Sequence, residues 1–129
     1  MPSTHAIRDS FFFGALLLFC ALFADGQSFG PYSITGTGCT RPIDLSEKAT
    51  VTYQVIGSWS GTIQPEVSVG AQPPVNTTAT PAATTSPAAT ITANGAYFSN
   101  VSGYSFFLLC GASVTNTATI YINVSSAPR

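Results

Sequence analysis

The sequence predicts an all-β fold: a single antiparallel β-sandwich of six to eight strands after an N-terminal signal peptide. Three observations point there. Apolar residues alternate at period two over several short runs, and no stretch carries a helical stripe. Gly, Pro and Asn break those runs at short intervals, as in sandwiches and barrels. Hydroxyl side chains take the place that charges usually fill: residues 27–129 hold 16 Thr and 13 Ser but only three cations and three anions. Aromatic residues make up 12% of the chain, which sets it apart from disordered sequences of similar polarity.

The N-terminus carries Arg8 and then the apolar run Phe11–Ala24. As a helix that run is about 21 Å long, short of a bilayer core of roughly 30 Å. It fits the apolar region of a secretory signal, and Ala24-Asp25-Gly26 supplies small residues before a cut at Gln27. Cleavage after Ala24 and an uncleaved anchor are the alternatives. Residues 1–26 are therefore assigned to the signal and 27–129 to one domain. Secretion or cell-surface placement follows, with no stable membrane span.

Gly30–Thr35 reads as a first strand, closed by the turn Gly36-Thr37-Gly38. Thr50–Val55 alternates, with Val51, Tyr53 and Val55 inward. The turn Gly57–Gly61 leads to Thr62–Val69, where Ile63, Val67 and Val69 share a face. Pro65 has no N–H to give to a ladder, so that strand is expected at an edge or with a bulge. Residues 70–89 hold Pro73, Pro74, Pro81 and Pro87 among Thr and Ala; this low-complexity loop is expected to be disordered and dispensable for folding. Thr90–Thr92 resumes order. Asn94-Gly95 signals a hairpin turn before Ala96–Val101. Tyr104–Cys110 is nearly continuous apolar sequence, a central strand covered on both faces. Thr117–Val124 closes the chain, with Ala118, Ile120, Ile122 and Val124 inward.

The turns Gly57-Ser58-Trp59-Ser60-Gly61-Thr62-Ile63, Asn94-Gly95-Ala96-Tyr97, Asn100-Val101-Ser102-Gly103-Tyr104 and Gly111-Ala112-Ser113-Val114 together resemble a small β-sandwich module of phage virion proteins and related bacterial exported proteins. The likeness covers residues 50–124. It implies a sandwich fold and bears on the fold more than on the role. The chain departs from that pattern at Val69-Gly70-Ala71-Gln72, where the module has an Asp-Gly and a second Trp, and at Phe106-Phe107-Leu108, where it has an Arg.

Function is bounded more than it is specified. The one histidine, His5, lies in the signal, so the domain has no histidine base, nucleophile partner or metal ligand. A net-neutral domain gives phosphate backbones no footing, so no nucleic-acid partner is expected. Cys39 and Cys110 form an even pair in an exported chain, the arithmetic of a disulfide, with two buried thiols as the alternative. Arg41, Asp44, Glu47 and Lys48 read as a solvated connection with one capped helical turn, or as a cation or docking loop. Calcium takes six to eight oxygens and three carboxylates do not supply them. Nothing marks Asp44, Glu47 and Glu66 as a glycosidase pair. No enzyme, cofactor or metal is expected. Two classes stay open: a module for surface assembly, adhesion or ligand recognition, with a protein or glycan partner or self-assembly; and a carbohydrate-binding module stacking sugars on Trp59, Tyr97 and Tyr104. Coplanar exposed aromatics favour the sugar reading, and a long flat edge strand favours assembly. Asn76, Asn100 and Asn123 stand in glycosylation sequons.

Overall fold

The computed structural model describes residues 26–126. The signal assignment, apart from Gly26, lies outside them. Among the described residues, no helix is long and apolar enough to cross a membrane. The described residues form nine strands in two antiparallel sheets. They are β1 (Gln27–Gly36), β2 (Ile43–Asp44), β3 (Thr50–Ile56), β4 (Ile63–Ser68), β5 (Val75–Asn76), β6 (Thr80–Pro81), β7 (Gly95–Asn100), β8 (Phe106–Gly111) and β9 (Val114–Ser125). The first sheet has the order β1-β9-β3-β7-β6, the second β2-β8-β4-β5. Three strands of two residues carry the count past eight; pieces so short leave no alternation to read.

The core forms as the periodicity predicts. Val51, Tyr53 and Val55 of β3 point inward with Ala118, Ile120, Ile122 and Val124 of β9. They meet Ile63 and Val67 of β4 and Phe107 and Leu109 of β8. The Tyr53 ring lies 5.6 Å from the Phe107 ring, and 5.9 Å from Tyr97 in a stacked pair. Val69 departs from its expected face. It follows the end of β4 and is exposed.

Most connections cross from one sheet to the other. Asn94-Gly95 makes no tight hairpin: the strand that precedes it, β6, pairs with β7 across a long connection, and Ile91, just before the turn, makes a single bridge to Ile63 of the other sheet. The crossovers demand close backbone approach. Gly61, at φ 114°, lies so near the Ser113 carbonyl that no Cβ fits.

Pro65 sits inside the second sheet, between β8 and β5, rather than at an edge or bulge. Its carbonyl accepts from the Thr77 N–H at 2.8 Å on the β5 side. Within a strand, a residue's nitrogen and carbonyl face the same neighbour, so the missing donor costs the β8 ladder nothing.

The 70–89 segment is the main correction. It supplies β5 to one sheet and β6 to the other. Asn76 Nδ2 donates to the carbonyls of Pro65 and Ala89 at 3.0 and 3.2 Å. Ala79 and Ala88 exchange both backbone bonds, at 2.8 and 2.9 Å. Ala79 and Thr80 are buried. The segment gains order from backbone hydrogen bonds, which its Ala, Thr and Pro side chains do not advertise.

The disulfide joins Cys39 to Cys110, with Cα atoms 4.0 Å apart. Backbone bonds from Gly111 N to Gly38 O and from Thr40 N to Leu109 O, both 2.8 Å, hold the flanking chain against β8.

Candidate functional site

The three aromatics singled out from the sequence form no common platform. Tyr97 is buried, stacked on Tyr53, with its hydroxyl donating to the Ala93 carbonyl. Burial raises its pKa. Trp59 is half-buried against the core, and its Nε1–H donates to Asn94 Oδ1 at 2.7 Å. Tyr104 is exposed, but it follows the end of β7 that pairs with Thr50, whereas Trp59 follows the opposite end of β3. The charged cluster also differs from its expected form. Asp44 Oδ1 accepts from the Ser46 N–H at 3.1 Å and the Ser46 hydroxyl at 2.7 Å, an Asx turn in place of a helical turn.

A broad recess lies on the outer face of the five-stranded sheet. It is a groove of about 610 Å³ spanning β1, β9, β3 and β7, within the range of ligand sites. Its polar side chains follow from the pleat, which sends every second residue of β3 and β9 outward. The ladder sets Asn123 beside both Ser28 and Thr52, and Thr52 beside Phe98. One step along, Gln54 stands between Tyr121 and Ala96.

Small residues and an irregular ladder give the groove its depth. Phe29 pairs with Ile122 and Tyr32 with Ile120, so Gly30 and Pro31 together stand opposite Tyr121. This bulge places a residue without a side chain in the groove next to the Tyr121 ring. Gly30 has φ 104°, and a Cβ there would meet the Ile120 carbonyl at 2.8 Å. Ala96 and Ala82 keep the opposite side low.

No side chain lining the groove is charged. A second hollow, of about 550 Å³, lies between β1 and β2 and holds Arg41, Asp44 and Lys48; four of the domain's six charges sit in that part of the sequence, Arg41 to Lys48. Within the groove, internal hydrogen bonding is sparse. Ser28 Oγ donates to Asn123 Oδ1 at 3.5 Å and Thr52 Oγ1 to the Asn123 carbonyl at 3.3 Å, both long. Among the described residues, no hydrogen bond occupies the Gln54 amide, the Asn123 Nδ2 or the Tyr121 hydroxyl, and all three residues are exposed. Sequence reasoning placed Tyr121 and Asn123 on the outward face but did not gather them with Gln54, because that needs strand order.

No protein-family model and no curated protein matches the sequence. Solved structures share its fold. The SPBc2 prophage-derived protein YomS superposes with a TM-score of 0.71 at 16% identity, over 78% of this chain and 92% of that one. The PBSX exported protein XepA superposes with a TM-score of 0.70 at 10% identity, over 77% of this chain. This chain spans 37% of XepA. The likeness establishes a sandwich fold shared with a prophage-derived and an exported protein.

Proposed function

We propose that the chain is an exported, non-enzymatic recognition module that binds its ligand on the outer face of the five-stranded sheet. The uncharged groove carries this proposal. Its lining holds no carboxylate, histidine or thiol, so the hydroxyls of Ser28 and Thr52 have no carboxylate or imidazole base beside them to activate them. The signal-like N-terminus, the disulfide and the likeness to an exported protein support export.

Assembly through strand edges has less support. β2, β5 and β6 end their sheets with two residues each, and the one long edge, β1, is interrupted at Gly30-Pro31. Short and bulged edges resist pairing with a second chain.

The test is retention of the labelled, secreted protein on intact bacterial and yeast cells and on their isolated walls. Gln54→Arg puts bulk and charge at the groove centre, and Val69→Arg places the same change on the other sheet's side. Retention lost in the first and kept in the second supports the proposal, provided both variants melt like the parent. Equal retention of both, or no retention of the parent on any surface, overturns it.

A further inference from the structure

The groove's chemistry narrows the class of ligand, given that it is the recognition surface. An extended peptide gains little there, because the backbone groups beneath are already paired in the ladders of β1, β9, β3 and β7. A purely apolar ligand would bury the amides of Gln54 and Asn123 and the hydroxyl of Tyr121 without partners, which is unfavourable. An acidic ligand finds no cation in the lining.

An uncharged glycan meets each requirement. Sugar hydroxyls both donate and accept, and so do the amides of Gln54 and Asn123. The apolar face of a pyranose ring packs on an aromatic side chain, and Tyr121 is 45% exposed beside the bulge at Gly30-Pro31. From β1 to β7 the groove crosses three strand spacings, about 14 Å, room for a short run of rings. We infer that the groove binds a neutral glycan chain, with Tyr121 stacking on one ring while the amides of Gln54 and Asn123 read its hydroxyls.

A glycan array carrying neutral hexose and N-acetylhexosamine oligomers beside sialylated, uronic and sulfated ones tests this. The probes are the secreted protein, Tyr121→Ala and Tyr121→Phe. The expected result is binding to neutral glycans, weakened about tenfold or more in Tyr121→Ala and largely kept in Tyr121→Phe. Tyr121 is an outward strand residue, and matched thermal melts of the two variants separate lost binding from lost folding. Binding only to acidic glycans, binding indifferent to Tyr121→Ala, or an empty array overturns the glycan assignment. An empty array alongside cell retention that Gln54→Arg abolishes leaves the groove as the recognition surface for another ligand. Retention indifferent to Gln54→Arg removes both conclusions together.

Discussion

Trp59 and Asn94 are joined by a 2.7 Å hydrogen bond from the indole Nε1–H to the amide oxygen. The same Asn94 returns its Nδ2 to the Gly57 carbonyl, also at 2.7 Å. One side chain thus fastens the turn after β3 to the segment that enters β7. Trp59 looks from the sequence like a sugar-stacking residue and Asn94 like a hairpin residue; in the fold they form a latch.

Removing that latch should destabilise without unfolding. Each hydrogen bond contributes on the order of 1 kcal/mol, so Asn94→Ala is expected to cost about 1–2 kcal/mol in urea unfolding. The emission of Trp59 should shift to the red as its ring is released. An unchanged midpoint with unchanged emission would show that the latch contributes nothing.

The 70–89 segment gives a second prediction. Replacing 71–88 by a short Gly-Ser turn removes β5, β6 and the Ala79–Ala88 bridge together. It also exposes the inner faces that Ala79 covers. The shortened protein should lose several kcal/mol, roughly 1 kcal/mol for each lost bond, or fail to fold. Asn76→Ala probes the same region more gently, at roughly 1–2 kcal/mol for its two bonds. Full stability of the shortened protein would show that the segment is a mere tether.

Alkaline pH should expose the buried tyrosine. Burial holds the Tyr53 hydroxyl well above the usual phenol range, despite the opposing hydrogen bond with Ser99 at 2.9 Å; the nearby Tyr97 raises it further. A pKa raised in the folded state leaves stability intact below the unfolded value, about 10, and lowers it as pH climbs beyond. Urea midpoints should therefore be flat from neutral pH to about 10 and then fall. Tyr53→Phe should start about 1 kcal/mol lower, for the lost hydrogen bond, and then fall less steeply. Parallel curves for the two proteins would contradict this assignment.

The disulfide spans 71 positions of sequence, so its loss should matter. Chain-entropy reasoning puts the loss near 4 kcal/mol. Thiol titration of the unfolded, unreduced domain should find neither Cys39 nor Cys110 free, and reduction should lower the melting temperature markedly. Two titratable thiols would refute the pairing.

Much of the sandwich was legible in particular residues. Val51-Thr52-Tyr53-Gln54-Val55 and Ala118–Val124 alternate because each is half-covered, and the structure buries the residues the pattern selects. Tyr104–Cys110 reads as a central strand; the strand itself begins at Phe106, and outward residues in it such as Leu108 are covered too. β5 and β6 were hidden because two-residue strands of Val-Asn and Thr-Pro have no periodicity, and their order comes from the backbone. The groove was hidden for another reason. Gln54, Tyr121 and Asn123 come from strands far apart in sequence, and only the β9-β3 register, with the extra residue at Gly30-Pro31, brings them to one recess. An uncharged outward face bearing a tyrosine amid amides was the available signal.

The proposed neutral-glycan site lies on the outer face of the five-stranded sheet. Its most direct test is an amide-shift titration of the ¹⁵N-labelled secreted protein, disulfide intact, with the neutral oligosaccharides that the array selects, or with gluco- and chito-oligomers if it selects none. Saturable shifts are expected, clustered at Thr52, Gln54, Phe98, Tyr121 and Asn123, with the Gln54 and Asn123 side-chain amides among the largest. No saturable shift, or shifts centred on Trp59 or Tyr104 with the groove silent, would contradict it.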